Sequence, residues 1–271
     1  MPELPEVETV RATLEHQIVG EKIVNVEVRC LRIISPSSKD DFCEKLKGQV
    51  IREVKRYGKY LFFILDKVTI LSHLRMEGKY FIKEESTPLT KHDHVIFNLD
   101  NHENLIYNDT RKFGKMYLLK DINDINSPLN KLGKEPWDDD LTITYLKEKL
   151  NKKKAIKTLL LDQEIITGIG NIYADEILFL SHINPEEYGS NLTNKNLSNI
   201  IKYTKEILEK SISLGGSTIH SYAAVDGVTG HFQQELLVHG KTGEPCPNCK
   251  NKIIKITVNG RGTYYCPHCQ K

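Results

Sequence analysis

No apolar run in the 271-residue chain approaches the roughly 18 residues that a membrane-spanning helix needs. A secretory leader is missing too, because Glu3, Glu6, Glu8 and Arg11 interrupt the first segment before an apolar core can form. The expected location is therefore the cytoplasm. There is no tandem repeat and no low-complexity tract, which sets aside solenoids and fibrous arrays. The GxSxG elbow, the complete P-loop and HExxH are all missing, and the chemistries they carry go with them. Net charge is only +2, so bulk charge does not mark a polyanion binder. Cysteine is sparse, with six in all. Four are paired near the C-terminus, unlike a secretory disulfide framework, while Cys30 and Cys43 stand alone as packed or free thiols.

What is present is informative by its arrangement. The length suits two domains, or one large domain with an appendage. Between Ile51 and Lys83 there are eight Lys and Arg against three Asp and Glu, and from His231 to Lys271 six against two. Two readings stand for these patches: a solvated lysine-rich surface, or faces that meet a polyanion. Leu4, Val7, Val10, Leu14 and Ile18 recur at helical spacing and Gly20 fits a stop, which predicts an amphipathic helix over about 4–19. Pro5 falls where a first turn tolerates it.

From Lys22 to Leu119 the pattern changes to short β-prone runs: 24–28, 60–65, 69–74, 79–82, 94–99, 104–107 and 115–119. About eight such strands predict a sandwich or flattened barrel. The polar stretch 120–140 reads as a connector. Four helical patterns follow and end at Gly215-Gly216, and then a loop over 217–230 leads to the cysteine module.

The most specific signal is CPNC (246–249) and, after a sixteen-residue gap, CPHC (266–269). Cys246, Cys249, Cys266 and Cys269 match the spacing of a four-thiolate zinc site. Such a site leaves no open coordination position, so its Zn²⁺ is structural. Between the pairs, Asn259-Gly260 predicts a tight hairpin with Arg261 at its tip. That arginine is either a solvated turn residue or a phosphate fork. TGIGN (167–171) has no preceding strand and no third glycine, so it is weak as a phosphate loop. It reads better as a turn with Asn171 capping the next helix. Met76 and Phe113 lie beside Arg75 and Arg111 near turns, a combination suited either to surface and core or to filling the hole left by a flipped base. His92 and His94 have the spacing of half a metal site, but no third ligand is evident, and single strand histidines are usually surface or core residues.

The amino terminus is the best candidate nucleophile. Initiator methionine is usually trimmed before proline, which would leave the secondary amine of Pro2 beside Glu3 and Glu6. A free α-amine titrates near about 7.7–8.0, so part of it is neutral at pH 7. Attack on a sugar carbon gives an iminium, and carboxylates then move the protons. A plain helix start remains the alternative at this level.

Taken together, MPELPEVETVR, SHLRMEGKY (72–80), DTRKFG (109–114), TGIGNIYADE (167–176), FQQEL with GKTGEPC, and GRGTYYCPHCQ (260–270) resemble the formamidopyrimidine-DNA glycosylase family, bacterial enzymes that repair 8-oxoguanine. The resemblance implies an α+β fold. An N-terminal helix and β-sandwich would occupy 1–130, a linker 131–140, a helix–two-turn–helix domain 141–230 with a lesion loop, and a zinc-finger hairpin 231–271. It implies a monomer that takes double-stranded DNA carrying an oxidised purine or abasic site into a cleft between halves, with one structural Zn²⁺ as cofactor. The base is excised and the strand nicked by β,δ-elimination.

By the same resemblance Pro2 attacks the sugar C1′, Glu3 handles protons, Glu6 helps position Pro2 and a water, and Lys59 sits on the lesion phosphate. His73, Asn171, Lys255 and Arg261 match phosphate contacts, and His239 stands where a phosphate-binding tyrosine is common. Met76, Arg111 and Phe113 match the residues that fill the gap, with Arg111 facing the orphaned cytosine. Glu77, Lys157, Ser217, Ile219, His220, Ser221 and Tyr222 match the base pocket, His220 replacing a frequent arginine. A related family, the endonuclease VIII type, excises oxidised pyrimidines but normally opens PEGPE. Leu4 and DTRKFG favour the purine enzyme, and intact Pro2, Glu3 and Lys59 argue against a non-catalytic DNA-binding module.

Overall fold

A computed structural model describes residues 1–121, 123–124, 127–217 and 230–271. It divides into two compact units. The first comprises Met1–Asn130 with Gly215–Gly230, the second Lys131–Leu214 with His231–Lys271.

The first unit opens with helix α1 (Leu4–Ile18), whose Val7, Val10, Leu14 and Ile18 are buried at helical spacing. Eight strands follow: β1 (Ile23–Val28), β2 (Ile51–Tyr57), β3 (Tyr60–Leu65), β4 (Thr69–His73), β5 (Lys79–Glu84), β6 (Asp93–Leu99), β7 (Glu103–Asn108) and β8 (Lys115–Leu119). They make two antiparallel four-stranded sheets, ordered β1-β6-β7-β5 and β2-β3-β4-β8. The inner faces of both sheets and α1 share one core that includes Val26, Phe97, Tyr107, Leu61, Phe63 and Met116. β3 reads YLFFIL rather than alternating because its other face is covered as well. There Phe62 packs with Leu71 and Leu119 in a second cluster.

Two features of this unit depart from the periodicity. Between β1 and β2 lie α2 (Leu31–Ile34) and α3 (Lys39–Leu46), not strands. α3 buries only Phe42 and Leu46, too few apolar residues to set a helical period, and the Ser38 side chain caps it by accepting from Asp41 N–H. β2 escapes an alternating pattern because its register shifts between Ile51 and Glu53.

The second unit contains α4 (Ile143–Leu150), α5 (Ile156–Leu160), α6 (Asn171–Leu180) and α7 (Asn194–Ser213) around a core of Leu146, Leu159, Tyr173, Ile177 and Leu208. Residues 131–140, expected as a free linker, belong to this body. Lys134 bridges to Ile166, Gly133 N–H bonds Gln163 O at 2.8 Å, and Trp137 packs on the helical core. A polar composition hid this because the attachment runs mostly through the backbone. The hairpin β9 (Ile254–Val258) and β10 (Arg261–Tyr265) closes the chain, turning through Asn259 and Gly260, both at positive φ. Among the described residues no helix is long and apolar enough to cross a membrane.

Candidate active site and nucleic-acid interface

Pro2, Glu3 and Glu6 are all buried at the start of α1. Glu3 is the N-cap, and its backbone N–H donates to Glu6 Oε2 at 2.8 Å. The other oxygen, Oε1, accepts from the backbone N–H of Ser217 at 2.7 Å and from its hydroxyl at 3.0 Å. Ser217, expected at the base pocket, therefore spends both donors on the Glu6 carboxylate. These donors fix the buried Glu6 carboxylate at the start of α1.

The same helix positions Lys59. Glu8 on α1 accepts from Arg56 Nε at 2.9 Å, and Arg56 also donates to the Gly58 carbonyl at 3.2 Å, in the turn that delivers buried Lys59. His73, paired with Tyr60 across β3 and β4, lies edge-on to that ring at 4.5 Å. Its Nδ1 accepts from the Arg75 N–H at 3.0 Å, which leaves the proton on Nε2. Burial first, then the Arg75 and Lys59 cations, push this imidazole down from 6.5 to about 3. His73 is thus a neutral donor throughout the physiological range.

Met76 and Phe113 are large apolar side chains standing 36% and 39% exposed. The Arg111 guanidinium lies 4.7 Å from the Phe113 ring centre, on the same surface loop. Glu77, next to Met76, is half-buried. Ile219, His220, Ser221 and Tyr222 lie outside the described residues.

In the second unit Lys157 differs from expectation. Fully buried, it donates to Asp175 Oδ1 (2.7 Å), Gly262 O (3.0 Å) and Thr263 Oγ1 (2.9 Å). With those three acceptors it is a strut between α6 and the hairpin rather than a base contact. Asn171 is likewise not the cap of α6; Gly170 is, and Asn171 Nδ2 donates to Gly262 O at 3.0 Å. His239 Nδ1 bonds the second oxygen of Asp175 at 2.7 Å, and its ring sits edge-on to Tyr264. Glu176 gathers the N–H groups of Leu237, Val238 and His239; burial raises its carboxyl, and those donors pull it back. Sequence reasoning missed Asp175 and Glu176, which carry no signal beyond being carboxylates inside an apolar helix. Arg261 and Lys255 are exposed on the hairpin, Lys255 over the Tyr264 ring.

The four finger thiols lie within 4.8 Å of one another, with Cys246–Cys269 at 3.8 Å and Cys249–Cys266 at 3.5 Å. A tetrahedron with bonds of about 2.3 Å has edges of about 3.8 Å, so the set fits Zn²⁺. Asn251 Nδ2 donates to the Cys249 sulfur at 3.4 Å, and Gln270 ties the second knuckle to Ile183 O at 2.9 Å. The site is closed, and its zinc is structural.

A proline nitrogen set among buried carboxylates suits enzymes that open a sugar through an imine, and a basic zinc-stapled hairpin directs that chemistry to nucleic acid. Three family models match consecutive parts of the chain. They are the formamidopyrimidine-DNA glycosylase N-terminal domain over 1–116, the H2TH domain of the same enzymes over 132–223, and the zinc finger found in FPG and IleRS over 243–271. The chain belongs to the formamidopyrimidine-DNA glycosylase family and is a base-excision-repair DNA glycosylase. A formamidopyrimidine-DNA glycosylase of Listeria innocua is 45% identical, with all of both chains covered. One from Bacillus cereus is 46% identical, covering all of this chain and 99% of its own. Among solved structures, a Lactococcus lactis FPG mutant bound to Fapy-dG DNA superposes with TM-score 0.92 at 42% identity over both full chains. The Lactococcus lactis Fpg bound to abasic-site DNA gives 0.91 at 43%, over 99% of each chain.

Proposed function

We propose that the protein excises oxidised purines, 8-oxoguanine and formamidopyrimidines, from double-stranded DNA and cuts the strand at the resulting abasic site. Removal of Met1 frees the Pro2 amine. It attacks C1′, the glycosidic bond breaks and the base leaves with a proton; the proton lost from the amine and the proton gained by O4′ pass through Glu3. Ring opening yields an iminium, the electron sink that allows loss of H2′ with cleavage of the C3′–O bond, and then elimination at C5′. Glu6 holds the Pro2 nitrogen and a water in line, and Lys59 neutralises the lesion phosphate. The observation that carries this reading is the buried Glu6 carboxylate, fixed by Glu3 and Ser217 at the start of the helix that follows buried Pro2.

His73, Asn171, His239, Lys255 and Arg261 grip phosphates, His73 as a neutral donor. Met76, Arg111 and Phe113 enter the duplex where the lesion leaves it, Arg111 meeting the unpaired cytosine. Glu77 and the 217–222 loop receive the base. The protein works as a cytoplasmic monomer on the bacterial chromosome. Single-turnover cleavage over a lesion panel tests this: 8-oxoguanine:C and formamidopyrimidine duplexes are cut faster than thymine glycol. A preference for thymine glycol overturns the purine assignment, and binding without cleavage overturns the enzymatic one.

A further inference from the structure

Met76 and the Arg111–Phe113 pair come from two turns far apart in sequence, 74–78 after β4 and 109–114 between β7 and β8. Both turns hold a non-glycine residue in the left-handed region, Arg75 at φ 54 and Lys112 at φ 55. Neither conformation is one its own side chain favours, so each turn needs an outside restraint.

Both restraints converge on Tyr107. A Cβ built on Gly78 would lie 2.3 Å from the Tyr107 hydroxyl oxygen, and one on Gly114 only 1.6 Å from it. The two glycine backbones therefore press on the same oxygen, one from each turn. The Tyr107 ring is fully buried and lies edge-on to Tyr80 at 5.3 Å, whose own hydroxyl donates to Ser72 at 2.7 Å. The Tyr107 hydroxyl donates to Asp109 Oδ2 at 3.4 Å, and the same oxygen takes the Gly114 N–H at 2.8 Å. Asp109 Oδ1 takes the Arg111 N–H at 2.9 Å. The backbone of Asp109 is anchored as well, its N–H on His92 O and its carbonyl accepting from His94 Nε2 at 2.9 Å.

We infer that the Tyr107 hydroxyl, locked by Asp109, is the common post that fixes Met76 relative to Arg111 and Phe113, making Tyr107 a positioning residue for eversion of the damaged nucleotide. The inference rests on the wedge role proposed above. Unstacking a base is costly, and an apolar wedge offsets that cost only if its parts arrive already ordered. Tyr107 itself touches no reacting atom; it acts through the two turns. A nucleotide that is already abasic stacks poorly and needs less help to leave the helix.

The zinc-loaded full chain is compared with Tyr107→Phe, Asp109→Asn, Gly114→Ala and the double variant Tyr107→Phe/Gly114→Ala. Two single-turnover rates are read at saturating enzyme, release of 8-oxoguanine opposite C and strand cleavage at a preformed abasic site. A third readout is the fluorescence rise of 2-aminopurine placed beside a tetrahydrofuran abasic analogue, which reports wedge insertion without chemistry. Tyr107→Phe and Asp109→Asn are expected to slow base release by about tenfold and to halve the fluorescence rise, with cleavage at the abasic site within about twofold. Gly114→Ala is expected to lose more, and the double variant to recover part of it, because the hydroxyl is the nearest atom the added methyl meets. Equal losses in both steps, unchanged base release with an unchanged fluorescence rise, or no recovery in the double variant would overturn the inference. Should the wild-type chain insert its wedge but release no 8-oxoguanine, the functional reading fails while the fluorescence comparison still decides this one.

Discussion

The amino-terminal corner and the zinc finger each gather a few chemically active side chains at one point, but they are closed in opposite ways. The finger brings Cys246 and Cys269 together across 23 residues, and a metal ion supplies the closing force. The corner joins Glu6 to Ser217 across 211 residues through hydrogen bonds from the Ser217 N–H and hydroxyl, within the folded core. A local knuckle can be added or lost as a module. A remote closure makes the proposed Pro2 nucleophile depend on the first unit being folded, which would turn an amine on a chain end into a fixed reagent.

The largest expected effect comes from opening the finger. A structural zinc contributes about 10–16 kcal/mol of apparent folding energy. Cys249→Ala, or a strong chelator, should release the ion and weaken binding to an abasic-analogue duplex by at least about 100-fold, equivalent to about 2.7 kcal/mol. The melting transition of the amino-terminal unit should stay in place. Calorimetry with zinc analysis checks both, and simultaneous loss of both transitions would break the modular side of the comparison.

Pro2→Gly should lower the single-turnover excision rate by about 10³-fold with little change in duplex affinity, because the ring amine acts in the chemical step. Blocking removal of Met1 should have the same effect. Glu6→Gln comes next. A carboxamide turns an N–H toward donors that now meet an oxygen, and the first unit should lose about 3 kcal/mol. At about 2–4 °C per kcal/mol that is a visible fall in Tm. If Tm holds while activity falls, the Ser217 closure is not structural.

The smallest effect is in the acid limb of stability. His73 titrates near 6.5 unfolded and at about 3 folded, because burial and then Arg75 and Lys59 oppose its charge. Above pH 6.5 both states are neutral and the group contributes no pH dependence. Below it the unfolded chain takes the proton first, and stability falls as pH drops toward 3. By pH 5 the loss is about 2 kcal/mol, and His73→Gln should flatten that slope in urea titrations.

How far the sequence carried follows the same contrast. The finger was legible because two C-x₂-C pairs and an Asn-Gly turn act over short spacing. Helix α1 and seven of the strands were legible because their apolar periods are long enough to read. α3 was not, having two buried residues in eight, and the attachment of 131–140 was hidden because it runs mainly through the backbone. Pro2, Glu3 and Glu6 could be picked out, but nothing in Ser217 announces that it will bond Glu6. Lys157 shows the reverse error. The resemblance put it at the base pocket, and only the fold reveals the buried Asp175 that it bonds.

The most direct test is borohydride trapping on an abasic-site duplex followed by mapping of the cross-linked peptide by mass spectrometry. The account predicts one covalent adduct, on the nitrogen of Pro2 in a chain that has lost Met1. An adduct on Lys59 or any other lysine, or no adduct from a protein that cleaves the same duplex, would contradict it.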